Sequence, residues 1–148
     1  MIVLRQANDG DKTMLWQWRN DALTRAMSRN TDDVPWADHC AWFDRVLSDA
    51  NRHLLIGDQD GKPLGTVRLD GAANSAEINI TVAPHARGKG VGLALLLAAE
   101  NYAKRLGLDA LTAVIRPANP ASKIIFDRAG YTPCGQDDQV EHYRLVLN

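Results

Sequence analysis

At 148 residues the chain has the length of one ordinary domain, so a single domain over residues 1–148 is expected. Hydrophobic residues make up 45% and charged residues 24%, close to globular averages, which sets aside disorder, collagen-like repeats and a disulfide scaffold. The 17 Lys and Arg against 18 Asp and Glu leave a formal charge of −1, so broad electrostatic binding of nucleic acid or of an anionic membrane is not expected.

The apolar start Ile2 to Leu4 is followed at once by Arg5, Asp9 and Asp11, which leaves no room for the apolar core of a signal peptide. After an extended Ile2 to Gln6, Asp9 or Asp11 can cap a helix reaching about Met27, with Met14, Leu15, Trp18, Ala22 and Leu23 on its inner side. Arg29 to Val34 reads as a polar loop. Pro35 and Trp36 open a second helix to about Leu47, where His39, Trp42, Phe43 and Val46 recur at helical spacing. His53 to Ile56 and Leu64 to Leu69 flank the turn Asp58-Gln59-Asp60-Gly61 and form an antiparallel hairpin. In Ala76 to Val82, Ile78, Ile80 and Val82 alternate with Glu77, Asn79 and Thr81, giving a strand with one apolar and one polar face.

Pro84 ends that strand, and Arg87-Gly88-Lys89-Gly90-Val91-Gly92 feeds a helix from Leu93 to Leu106 that Gly107 closes. Leu111 to Ile115 is the next strand. Asn119 caps and Pro120 starts a short helix to about Ala129, and a last strand runs from Val140 to Leu147. The longest nearly apolar run, Val91 to Ala99, is far short of the roughly 20 residues of a membrane span. Cys40 and Cys134 lack metal-ligand spacing, so free thiols in a reduced, cytoplasmic setting and no bound metal are expected. The order implies an α/β (α+β) fold: a mixed sheet with helices on both faces and one strand-helix-strand crossover between residues 76 and 115.

A strand, a glycine loop and then a helix form a ready anion site, because unpaired N–H groups and the positive end of the helix dipole converge there. Arg87 and Lys89 add positive charge at its mouth. The loop is not a P-loop, since Gly90 follows the Lys, and it lacks the spacing of the dinucleotide fingerprint. The plainer reading is a strand-to-helix turn with glycines for sterics.

The run from Val82 to Leu93, with Arg87, two residues, Gly90, one residue and Gly92, resembles the acetyl-CoA motif of the GNAT superfamily of N-acetyltransferases. Asn119, Ser122, Phe126 and Gly130-Tyr131 resemble that superfamily's downstream segment. The resemblance covers nearly the whole chain and implies a mostly antiparallel sheet, acetyl-CoA as cosubstrate and acetyl transfer to an amine. It assigns the pyrophosphate to Gly88, Lys89, Gly90, Val91, Gly92 and Leu93, with Arg87 beside them. The pantetheine arm falls to Val82, and Asn119 and Phe126 complete the coenzyme side. A backbone N–H at Val82 can also face the thioester oxygen as it gains charge.

The attacking amine needs a base. Glu77, on the polar face of the strand and five residues before Val82, matches a Glu that activates the amine through water in several superfamily members. The alternative is a half-exposed strand carboxylate. His39 is the other titratable candidate, as base or substrate contact, against the reading of a partly buried helix histidine. Where the family places a Tyr to protonate the departing thiolate, this chain has Phe126, which leaves water, Tyr131 or no dedicated acid.

The first two helices form the acceptor side in this superfamily. Here Trp18-Arg19-Asn20, and His39 followed by Trp42-Phe43, resemble acetyltransferases of a UDP-linked 4-amino-4,6-dideoxy sugar in bacterial flagellin and surface-glycan pathways. Arg19, Asn20, His39 and Trp42 are then substrate contacts, and Arg19 or Arg29 can pair with a diphosphate. A ribosomal-protein or generic amine acetyltransferase, or a non-catalytic coenzyme A-binding module, are the alternatives. Asp32-Asp33 and Asp137-Asp138 read as solvated loops and not as the acidic cleft that aminoglycosides or polyamines want. The oligomeric state stays open, with a homodimer among the options.

Overall fold

The computed structural model describes residues 1–27, 31–71, 73–137 and 139–148. Among these residues seven strands form one sheet in the order β1-β2-β3-β4-β5-β7-β6, with five α-helices around it. The strands are β1 (Val3–Gln6), β2 (Arg52–Gln59), β3 (Lys62–Asp70), β4 (Ser75–Val82), β5 (Ala110–Ile115), β6 (Thr132–Gln136) and β7 (Glu141–Val146). The helices are α1 (Lys12–Arg19), α2 (Ala22–Met27), α3 (Trp36–Ser48), α4 (Val91–Arg105) and α5 (Pro120–Arg128). All neighbours run antiparallel except β4 and β5, which α4 connects in parallel.

Side-chain alternation assigns the faces. In the β2–β3 register Leu54 stands opposite Arg68 and Ile56 opposite Thr66, while Leu55 and Gly57 face Val67 and Gly65 on the other side. A Cβ added at Gly57 or Gly65 would come within 2.5 to 2.8 Å of Leu95 on α4, so this second face belongs to α4, whose approach the two glycines permit. The Arg68 face carries Glu77, Asn79 and Thr81 of β4 and turns toward the N-terminal helices. The core is continuous through the sheet: Leu55, Ile56, Val67, Leu69, Leu95, Leu96 and Leu111 are all fully buried.

Four local features depart from the sequence reading. The single helix to Met27 is two helices, broken at Asn20. The Asn20 amide closes on the Val34 backbone, donating to its carbonyl at 2.9 Å and accepting its N–H at 2.8 Å, and Asp21 then caps α2 by accepting the Thr24 N–H at 3.1 Å. Ala22 and Leu23 are consequently exposed instead of lining the core. Upstream, Asn8 and not Asp9 makes the cap, while Asp11 is buried and held by Arg5 at 2.8 and 2.9 Å. Finally, β6 is a strand that the sequence pattern does not announce: every residue of it is exposed at the sheet edge. The β2–β3 hairpin closes more tightly than expected, with Gln59 opposite Lys62 and both Asp60 and Gly61 at positive φ (51° and 78°). That is the conformation a two-residue hairpin turn favours.

Candidate active site

The sheet parts in its middle. β4 and β5 pair only at Ser75–Ala110, Ala76–Leu111 and Glu77–Thr112, and beyond Glu77 the two strands diverge. On the other side of β4, Ala83 donates to the Leu64 carbonyl at 2.8 Å. By the alternation of an antiparallel ladder, Thr81 and Asn79 also point their backbone groups toward β3, and those of Ile80 and Val82 point into the gap.

The gap opens a cleft of about 760 Å³. One wall is the turn from β4 into α4. Gly88 and Gly90 hold φ of 73° and 78°, the left-handed region that favours glycine, and Gly90 serves as the N-cap residue with no side-chain hydrogen bond closing the helix end. Open space surrounds both α-carbons, so the exposed N–H groups of α4's first turn can be reached by a ligand. Gly92 differs: a Cβ there would come within 2.8 Å of the Ile125 δ-methyl on α5, so that side chain would have to move. Val82, Val91, Leu93, Asn119, Ile125 and Phe126 line the same space. Asn119 holds α5 in place by accepting the Ser122 N–H at 3.2 Å.

Of the residues named from the sequence, Val82, Arg87, Gly88, Gly90, Val91, Gly92, Leu93, Asn119, Phe126, Glu77, Arg19 and Trp42 meet in this one cleft. Arg87 is also tied elsewhere, donating to the Asp21 carboxylate and, at 3.0 Å, to the Thr24 hydroxyl, which links the glycine turn to α2. The Arg87 guanidinium holds the Asp21 carboxyl below its usual range. Lys89 is exposed and stands off the cleft wall.

Three expectations are corrected. His39 is 0% exposed and is no cleft residue; its Nε2 lies 2.8 Å from the Lys12 carbonyl and its Nδ1 3.0 Å from Arg19 Nη1. A carbonyl only accepts and a guanidinium only donates, so Nε2 carries the hydrogen and Nδ1 the engaged lone pair. Burial, together with the charges of Arg19 and Lys12, pushes its pKa below the usual histidine value. The ring therefore has no free nitrogen for a base. Asn20 is spent on Val34, as described, and is a loop tie. Tyr131 cannot supply the missing phenol: it is 1% exposed, its hydroxyl is buried without a partner among the described residues, and burial beside the Glu100 charge raises its pKa. Its ring instead stacks edge-on against Phe126 at 4.9 Å. Arg29 and Asp138 lie outside the described residues.

No motif in the sequence marks Arg68. It projects from β3 beside Trp42, its guanidinium carbon 5.6 Å from the ring centroid, and it lines the cleft with Thr66 and Asn79. The signal is present in the alternation that puts Glu77 on the same face.

Residues 2–132 match the family model described as the acetyltransferase (GNAT) domain. A methionine sulfoximine/methionine sulfone acetyltransferase of Pseudomonas aeruginosa is 30% identical over 144 residues, which span 93% of this chain and 84% of that protein. A putative phosphinothricin acetyltransferase of Bacillus subtilis is 28% identical over 142 residues, 90% of this chain and 86% of that one. Among solved structures, the spermidine N-acetyltransferase of Vibrio cholerae, in complex with CoA and spermine, superposes with a TM-score of 0.89 at 18% identity, covering 99% of this chain and 95% of that chain. With the parted strands and the glycine-capped helix, these matches make the chain a member of the GNAT family and an acetyl-CoA-dependent N-acetyltransferase.

Proposed function

We propose that the enzyme acetylates the primary amine of a small molecule by direct attack on the thioester, at the point where β4 leaves β5. The observation that carries this reading is the convergence of the unpaired β4 edge, the open glycine turn and the α1 and α3 side chains on one cleft. When bound, acetyl-CoA supplies an acetyl group activated as a thioester. The N–H groups of Gly88 to Leu93 would hold its pyrophosphate, and the backbone of Ile80 and Val82 its pantetheine arm. The Val82 N–H, which points into the gap, would hydrogen-bond the oxygen on which negative charge develops. Asn119 fixes α5 as the far wall.

Glu77 takes the proton of the ammonium, through water, from the last paired position of β4. Phe126 offers no proton at the place where the family has a phenol, so the leaving thiolate is protonated by water. Arg87 would have to leave Asp21 and Thr24, which hold it across the turn, to reach that pyrophosphate.

The finer reading of the acceptor is a nucleotide-linked amino sugar, supported by Trp42 and Arg19, an aromatic face and a cation on the acceptor wall. The second is an amino-acid-like amine, supported by the names of the two bacterial relatives. Release of free thiol from acetyl-CoA, measured with a panel of amines, tests the activity. Amine-dependent release is the expected result. Binding of acetyl-CoA with no amine-dependent release would return the chain to a non-catalytic coenzyme-binding module.

A further inference from the structure

Arg19 is in an unusual state for a cation more than half removed from water. Its guanidinium carbon lies 4.4 Å from the Trp42 ring centroid and its Nη1 donates to His39 Nδ1, yet no carboxylate among the described residues pairs with it. Arg68 comes to the same ring. It gives its Nε to Asp70 at 2.8 Å, but that carboxylate is shared with Arg52 at 3.1 Å, and no described residue accepts from the terminal nitrogens of Arg68. The two arginines repel: burial and the charge of Arg68 both lower the pKa of Arg19. His39 cannot relieve them, because it is neutral and its hydrogen points at the Lys12 carbonyl. A half-buried guanidinium with no carboxylate beside it is costly to hold, and an anion bound between the two arginines would offset that cost.

We infer that Arg19, Arg68 and Trp42 form a subsite for a carboxylate or phosphate of the acceptor, so that the substrate is an amine that itself carries negative charge. This rests on the acetyl-transfer reading above and names the class of molecule that the cleft accepts. Guanidinium forks suit both anions, and two of them against one ring fix an orientation that a point charge does not. The distance is short. Arg68 stands opposite Asn79 in the β3–β4 register, with Glu77 two residues further along the same face. Such diagonal neighbours are about 7–8 Å apart. An anion at Arg68 and an amine near Glu77 therefore belong to one compact molecule. A polyamine would bring its second cation against two arginines, which disfavours it.

The test compares amines that differ only in the anion: L-methionine sulfone against its amide, and a UDP-linked 4-amino sugar against the free amino sugar, with spermidine as the cationic control. The anionic member of at least one pair should show kcat/KM at least tenfold higher. That preference should collapse in Arg19→Gln and Arg68→Gln, while the thermal shift with acetyl-CoA stays as in the wild type. The pair that responds tells a carboxylate from a diphosphate. A binding arm works without turnover: with CoA saturating, methionine sulfone, UDP and inorganic phosphate are titrated, and at least one should raise the melting temperature of the wild type but not of Arg19→Gln. Neutral or cationic amines turned over equally well, a preference that survives Arg19→Gln, or no Arg19-dependent binding of any probe would each overturn the subsite. Failure of the acetyl-transfer reading looks different: no amine releases thiol, although acetyl-CoA binds.

Discussion

Gly90→Ala and Gly107→Ala make a matched pair for testing the glycine turn. The two residues hold φ of 78° and 82°, and at neither would a Cβ come within 4 Å of another group. The added methyl meets no neighbour, so its cost is that of the left-handed backbone alone, about 1–2 kcal/mol for an L residue. At roughly 2–4 °C per kcal/mol for a chain near this size, each variant should melt about 2–8 °C below the wild type. They should part once acetyl-CoA is added. A ligand at 100 times its Kd stabilises by about 2.7 kcal/mol, and a tenfold weaker Kd at the same concentration by about 1.4 kcal/mol. Gly107 follows the far end of α4, so its variant should keep the full upward shift of about 5–11 °C. Gly90 caps the near end, so its variant should lose half of the shift or more. Differential scanning fluorimetry across an acetyl-CoA titration measures both quantities. Equal ligand shifts would refute the cradle, and an unchanged melting temperature of free Gly107→Ala would refute the strain argument.

Glu77→Gln should lower the rate at neutral pH while largely keeping acetyl-CoA affinity; a variant within about threefold of wild type, under roughly 0.7 kcal/mol of barrier, would return Glu77 to a plain strand carboxylate. Phe126→Tyr should leave steady-state activity unchanged or raise it, and a loss of tenfold or more would count against that position facing the leaving sulfur. His39 should make stability pH-dependent. Its folded pKa lies below the ordinary 6.5, so the unfolded chain binds the proton first as pH falls; the stability this group contributes is complete above about pH 6.5 and is lost below it. Melting temperatures should therefore fall between pH 7 and pH 5 by more in the wild type than in His39→Gln, and parallel curves would speak against a buried neutral ring.

The coenzyme side of the cleft is legible in the sequence because its determinants are local. The alternation in Ala76 to Val82, the glycines from 88 to 92 and the Asn-Pro start of α5 each declare their geometry within a few residues. The acceptor side is not, because it depends on contacts across long separations. The break at Asn20 needs the Val34 backbone, 14 residues away, and the state of His39 needs Arg19 and the Lys12 carbonyl. A histidine at helical spacing looks the same in sequence whether it faces a ligand or an arginine. Arg68 and Arg19 become neighbours only when the hairpin and α1 meet at Trp42. Strand β6 escapes for another reason: with Pro133, Gly135 and no buried residue, it carries no hydrophobic alternation for the eye to find.

The parting of β4 from β5 also leaves a signature in time. Along one strand, the amides of Asn79, Thr81 and Ala83 are tied to β3, whereas those of Ile80 and Val82 look into an open gap. Amide hydrogen exchange in the free enzyme should alternate from residue to residue, slow at 79, 81 and 83 and fast at 80 and 82, within a sheet whose core is otherwise fully protected. The same two residues present an unpaired strand edge in the middle of the fold, a feature that proteins otherwise keep short or cover because it invites another chain. Here the walls of the cleft recess it, so a slender ligand with amides of its own can reach that edge while a second sheet cannot.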